Sequence, residues 1–189
     1  YLQVWDERLS ELGSKMWNIR KDFFDEFIII FKKLWQQLDC EFSATLQYDI
    51  TQVLTKEEFH QALAEQVSVD SRRGYTTIGP HRDNINLTFN QMDIKNCGSQ
   101  GEKKLFLIVL KIAEAVYIGN KMNNEPIILL DDLFAMLDKN RGLKTLRLLT
   151  NNFQIFITTT DSNAETYFSN QDDLNFIKLE ECEEICFAA

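Results

Sequence analysis

Two stretches carry the residue types that could handle a nucleotide phosphate and its metal. Ser99-Gln100-Gly101-Glu102-Lys103-Lys104 sets a hydroxyl, a glycine NH and two lysines ahead of an apolar helical run, Leu105 to Tyr117. The free NH groups and dipole of a helix amino end attract anions, and Gly101 lets the backbone approach closely. The dipole would prefer acids to Lys103 and Lys104, and that mismatch hints at function. The second stretch is Pro126-Ile127-Ile128-Leu129-Leu130-Asp131-Asp132, an apolar strand ending in two carboxylates, followed by Leu137-Asp138. Ligands collect at the carboxyl edge of open α/β sheets. Neighbouring strand residues face opposite ways, so one acid can hold Mg2+ while the other orients an attacking water. The plainer alternatives are a serine helix cap and an Asp-Asp turn that merely ends a strand.

What is missing narrows the chemistry. The sequence has no Gly-x-x-x-x-Gly-Lys-Ser/Thr phosphate loop and no nucleophile elbow, and its two histidines, His60 and His81, cannot form a ligand set. An autonomous P-loop enzyme is therefore not expected within these residues. Cys40, Cys97, Cys182 and Cys186 lack zinc spacing and read as reduced thiols of a cytosolic protein. A net charge of −9 argues against a broad nucleic-acid surface but leaves room for a local basic patch. The apolar runs are too short to span a bilayer and no signal peptide is read, so the expected location is cytoplasmic, without membrane partners. The first residue is not Met, so the chain is expected to be a piece of a longer one or to have lost residues. The 189 residues, 44% hydrophobic with 14 Phe, suffice for one core, or a core plus a small helical lobe.

The elements that must position these groups follow from periodicity. Residues 1 to about 38 read as helix, with a stripe of Leu2, Trp5, Leu9, Leu12, Met16, Ile19, Phe23, Phe27, Ile30, Leu34 and Leu38. A break near Gly13-Ser14 or Arg20-Lys21 is allowed for. Phe42 to Ile50 reads as a strand with Phe42, Ala44, Leu46 and Tyr48 on one side. Thr55 and Glu58 form a capping box for a helix that buries Phe59, Leu63 and Val67 and ends in an Asp70-to-Gly74 turn. A strand at Tyr75 to Ile78, a polar turn at Gly79 to Asn84, and strands through Ile85-Leu87-Phe89 and Met92 to Ile94 suggest an antiparallel meander, with Lys95 to Ser99 as loop. Helix is expected from Gly101 to about Gly119. A parallel strand covered on both faces is expected at Ile127 to Leu130, a crossover helix at Lys139 to Leu149, and strands at Gln154 to Thr158 and Leu174 to Leu179. This order predicts an α/β sheet with right-handed crossovers.

Gly79-Pro80-His81-Arg82-Asp83, then Ser99 to Lys104, then Ile127 to Phe134 with Asp131-Asp132, then Leu137-Asp138, then Gln154 to Thr160 together resemble the RecF family over nearly the whole chain. That family comprises bacterial DNA replication and recombination-repair ATPases with an ABC/SMC-like head. The resemblance implies the carboxyl-terminal part of an ABC/SMC-like P-loop ATPase head, residues 71–189, preceded by a mainly helical arm-like lobe, residues 1–70. Ser99, Gln100 and Gly101 match the ABC signature, which acts on ATP held by the partner subunit, and Lys103 lies in the same run. Asp131 matches the Walker B magnesium aspartate. Asp132 matches the acid that handles the attacking water. Leu137 and Asp138 match the D-loop. Thr159 or Thr160 falls where many ABC proteins carry a switch histidine, so histidine-based sensing is not expected. Asn84 and Ala135 depart from the expected aspartate and serine, and the run around His81 and Arg82 yields no role.

The resemblance further implies ATP and Mg2+ as ligands of the complete protein, an ATP-dependent homodimer, and duplex DNA near single-strand gaps as substrate. It implies RecR as partner, with RecO in the same pathway, and roles in single-stranded DNA binding and the SOS response. These residues alone are expected to be inactive, the whole protein being a slow ATPase. The rivals are a noncatalytic interaction module derived from an ATPase head, and an SMC- or RecN-like repair ATPase. A glycine-rich Lys-Ser/Thr loop upstream would count against the first, and a long coiled coil between the half-heads would favour the second.

Overall fold

The computed structural model describes residues 2–38, 43–49, 54–131, 142–146, 153–161 and 175–177. Helix α1 runs from Leu2 to Gln37 as 36 continuous residues, with no break at Gly13-Ser14 or Arg20-Lys21. Its buried face differs from the bulky stripe read from the sequence. Trp5, Leu9, Leu12, Met16 and Ile19 are exposed, while Ser10, Gly13, Ser14 and Trp17 face inward. The reason is close approach. A Cβ on Gly13 would stand 2.5 Å from Phe59 Cε1, so only a small-residue face lets α1 sit this near its neighbour. The buried serine hydroxyls cost little, because Ser10 Oγ donates to the Glu7 carbonyl at 2.9 Å and Ser14 Oγ to that of Glu11 at 3.1 Å. In the second half of α1, Phe24, Phe27, Phe31, Trp35 and Leu38 are buried.

The neighbour is α2, Lys56–Arg73. Its start is the expected capping box: Thr55 Oγ1 accepts from the Glu58 NH and Glu58 returns the favour to the Thr55 NH. Phe59 and Leu63 are buried with Trp17, whereas Val67, expected inside, is exposed. Gly74 closes the helix in the left-handed region at φ 75°.

Strand β1, Ala44–Asp49, pairs antiparallel with β2, Asn84–Phe89, from Ala44 opposite Phe89 to Asp49 opposite Asn84. Ala44 and Leu46 are buried, as alternation predicted. Asn90 and Gln91, both at positive φ, make the two-residue turn into β3, Met92–Asp93. The meander is thus β1-β2-β3, and the expected strand at Tyr75 to Ile78 does not form. Side chains occupy the backbone groups a strand would use: Asp70 accepts from the Thr77 NH at 3.0 Å, and the Thr76 carbonyl takes His81 and Arg82. Lys95 to Ser99 is not all loop either, because a one-turn helix α3, Ile94–Cys97, is capped by Asp93.

Helix α4, Gln100–Met122, lies across this layer. Phe31, Trp35, Phe89 and Phe106 meet at ring-centroid distances of 4.9 to 5.8 Å, joining α1, β2 and α4 in one core. Strand β4, Ile128–Asp131, pairs parallel with β5, Ile155–Thr158, and Leu130 and Ile157 pack on that core. The other face was expected to be covered and is not. Leu129 is 75% exposed and its register partner Phe156 is exposed beside it. No described element lies over them. Residues 142–146 are helical, inside the expected crossover helix, the rest of which lies outside the described residues. Residues 175–177, within the strand expected at Leu174 to Leu179, form no strand.

Gly13→Ala would gain about 1 kcal/mol at an exposed helix position. Here the Phe59 ring is fully buried against the site, and the substitution should instead destabilise by about 1–2 kcal/mol. Urea denaturation checks this, and an unfolding midpoint above the parent's would show that the ring can give way.

Candidate functional site

Ser99 is the cap of α4. Its Oγ accepts from the Glu102 NH at 3.3 Å, and the Glu102 carboxylate accepts from the Ser99 NH at 2.7 Å. Glu102 thus supplies the acid that the helix start prefers. Lys103 Nζ donates to the Lys95 carbonyl at 3.0 Å, which ties it to α3. The lysine mismatch read from the sequence therefore has a local structural resolution. Ser99 and Gln100 are exposed, and Gly101 is half-buried. The capped serine keeps its own OH proton to donate, so capping and contact with an outside phosphate are compatible.

Asp131 is the last residue of β4 and is exposed. Thr158 Oγ1 donates to it across the parallel pair. Thr159 and Thr160 follow at the surface, where the Thr159 hydroxyl accepts from the Asp161 NH at 3.1 Å. Asp132, Ala135, Leu137 and Asp138 lie outside the described residues. An exposed carboxylate with a hydroxyl at its side suits a hard cation that takes oxygen ligands and keeps several waters. Among the described residues no group of three or more His, Cys, Asp or Glu could hold a metal by itself.

The two features are not brought together. Pro126 packs against Gly119, where a Cβ would meet Pro126 Cδ at 3.1 Å. From Gly119 back to Ser99 is about 30 Å of helix at 1.5 Å per residue. From Pro126 to Asp131 a strand covers about 17 Å at most. By that reckoning the backbones at Ser99 and Asp131 stand at least on the order of 10 Å apart, so the two residues do not touch each other.

The Gly79-to-Asp83 run, which gave no role from sequence, is a junction. Gly79 at φ 136° opens a 3-10 turn, Pro80–Arg82, after which Asp83 turns inward. Its side chain is 2% exposed. Trp17 Nε1 donates to it at 3.3 Å, Arg20 at 3.4 Å, and the Tyr48 hydroxyl donates as well. Arg20 also donates to the Pro80 carbonyl at 2.6 Å. Sequence reading missed Trp17, Arg20 and Tyr48 here. The one local signal was Arg20 three residues after Trp17, which puts a cation and an indole NH on one helix face. Burial, and then the bond to Asp83, raises the ionisation of the Tyr48 phenol above its ordinary value. The neutral phenol is the folded-state form, so its contribution is complete below about pH 10 and is lost as pH climbs through the higher folded value.

Asp83→Ala leaves an indole NH, a phenol and a guanidinium without their shared acceptor, and should cost about 2–4 kcal/mol. Chemical denaturation at pH 7 checks it. In the same variant the Tyr48 absorbance titration should move down toward the ordinary phenol value, and no movement would show that burial alone sets it.

No family model matches the chain. Sequence relatives are many. The DNA replication and repair protein RecF of Halothermothrix orenii is 32% identical over 184 residues, covering 92% of this chain and 48% of that one. RecF of Azobacteroides pseudotrichonymphae is 34% identical over 161 residues, and RecF of Chlorobium limicola is 36% identical over 169, covering 44% and 47% of those proteins. The chain thus spans about half the length of these relatives. The solved structure of the recombination mediator protein RecF with ATP, in the RecFOR pathway, matches in fold with a TM-score of 0.70 at 24% identity. That match covers 86% of this chain and 45% of that one.

Proposed function

The chain belongs to the RecF family, and from that membership we propose that the whole protein is a slow, DNA-binding ATPase of replication-associated recombinational repair. The fold is the α/β fold of an ABC/SMC-like ATPase. On this reading residues 71–189 are the carboxyl-terminal half of the head and residues 1–70 an arm-like lobe. The observation that carries the proposal is the separation of Ser99 from Asp131 on a chain whose relatives bear the RecF name. Two phosphate-handling edges set apart on one chain suit a composite site, in which each edge serves a different nucleotide.

In that arrangement Asp131, steadied by Thr158, would hold Mg2+ at the strand tip of its own subunit. Bound there, Mg2+ would neutralise charge on the transferring phosphoryl oxygens. Asp132 would orient the attacking water. Ser99, Gln100 and Gly101 would present a hydroxyl and backbone NH groups to the γ-phosphate of ATP bound by the partner subunit, with Lys103 adding charge nearby. Asp138 would cross the interface, and Thr159 would stand beside the nucleotide as a hydroxyl where many ABC proteins carry a histidine. Head closure would then depend on ATP, since each site is complete only in a dimer. The expected substrate is duplex DNA near a single-strand gap, with RecR as the protein partner and RecO in the same pathway. Among the described residues no helix is long and apolar enough to cross a membrane.

Asp132→Asn in the whole protein should leave ATP binding in place and slow hydrolysis by about a hundredfold. Single-turnover assays with labelled ATP check it, and unchanged turnover would remove Asp132 from the reaction. Ser99→Arg should spare nucleotide binding by the monomer and abolish ATP-driven dimers in sedimentation. A Ser99→Ala control should cost only the cap, about 1 kcal/mol of stability. Normal dimers from the arginine variant would show that this helix start does not face a partner.

A further inference from the structure

On a chain of net charge −9, residues 71–82 contain three arginines and a histidine and no acid. The fold gathers them. Arg72 and Arg73 close α2, Gly74 turns the chain, and Tyr75 follows with 51% of its surface exposed. Arg82, across the loop, lays its guanidinium over the Tyr75 ring at 4.6 Å and donates to the Thr76 carbonyl at 3.1 Å. His81 Nε2 donates to the same carbonyl at 2.9 Å. All five side chains reach the surface. The acids that flank the run are turned away: Asp70 accepts from the Thr77 NH and hydroxyl, and Asp83 is taken up by Trp17, Arg20 and Tyr48. Among the described residues none of the three arginines is paired with a carboxylate.

We propose that Arg72, Arg73 and Arg82 form a contact surface for the sugar-phosphate backbone of DNA. The proposal rests on the family reading for the presence of DNA and on this geometry for its place. Three exposed guanidiniums without carboxylate partners are donors suited to phosphate oxygens. Arg82 already occupies a face of Tyr75, which positions the cation and leaves less ring for a stacked base. The patch therefore reads charge and spacing rather than sequence. A structural account exists for part of it, since basic residues in the last turn of α2 complement the helix dipole. That account predicts an effect on stability and none on the salt dependence of binding.

The test uses the whole protein and a labelled duplex, with anisotropy measured across a salt series. Arg72→Gln, Arg73→Gln and Arg82→Gln together should weaken binding about tenfold or more near 0.1 M salt. They should also lower the slope of log affinity against log salt by about 2–3, at 0.9 per phosphate contact. ATP binding without DNA should stay as in the parent. If Arg82→Gln disturbs the loop, seen as a lowered melting temperature, the Arg72→Gln, Arg73→Gln pair alone should still lower the slope by about 2. A parent that binds DNA beside a variant with the same slope overturns the patch and leaves the family reading standing. A parent that binds no DNA overturns both. Unchanged DNA binding with lost binding of an acidic protein would assign the surface to a protein instead.

Discussion

The Asp83 carboxylate fixes how the long helix meets the sheet. A buried carboxylate without partners costs several kcal/mol, and here α1 supplies Trp17 and Arg20 while β1 supplies Tyr48. The Pro80–Arg82 turn presents the acid from a third direction, and Arg20 grips that turn through the Pro80 carbonyl. Shifting α1 along its axis by one turn would part the indole and guanidinium from the acid together. The helix therefore has one register against the sheet. The close contact of Gly13 with Phe59 holds the same register from the other side. A helix set this way moves with the layer beneath it, not about it.

The sequence was legible where the physics is local. The capping box at Thr55, the alternation of Ala44, Leu46 and Tyr48, and the apolar face of α4 need only neighbours along the chain, and each stands where expected. Reading failed where a distant partner decided the outcome. The bulky stripe of α1 looked like the buried face until Phe59 selected the Gly13 side. Tyr75 to Ile78 had strand composition, but Asp70, His81 and Arg82 had already claimed its polar backbone. Of the candidate site, the helix start and the strand-tip acid were visible in the residue types. The buried role of Asp83 was not, because its partners lie at separations of 35 to 66 residues.

Exposed apolar surface has a pattern that the described core does not explain by itself. Leu129 and Phe156 lie side by side on one face of a parallel pair, and strands so paired are ordinarily covered on both faces. Trp5, Leu9, Leu12, Met16 and Ile19 are exposed on α1, whose Gly13 side meets Phe59 of α2. Relatives are about twice as long as this chain, so a family member has ample further sequence with which to cover both surfaces. The same consideration applies to phosphate chemistry. A strand-tip carboxylate can hold a magnesium ion only as one ligand among several, and the remaining ligands must come from a nucleotide and from residues that cradle it.

The spacing between Ser99 and Asp131 constrains mechanism more tightly than either residue does. Both belong to one packed body, since α4 and β4 share the core through Val109, Ala113 and Leu130. Interiors packed at that density transmit displacement instead of absorbing it. Leu105, Phe106 and Val109 of α4 lie in the core on which Leu130 packs, so helix start and strand tip are built on one body without a flexible linker between them. On the proposed reading, engagement of one nucleotide by Ser99 biases the position of the acid that serves the other. Coupling of that kind is reciprocal, so ordering the strand tip would also favour the helix start that meets the partner. On that reading, two sites joined by a rigid element would close together or not at all.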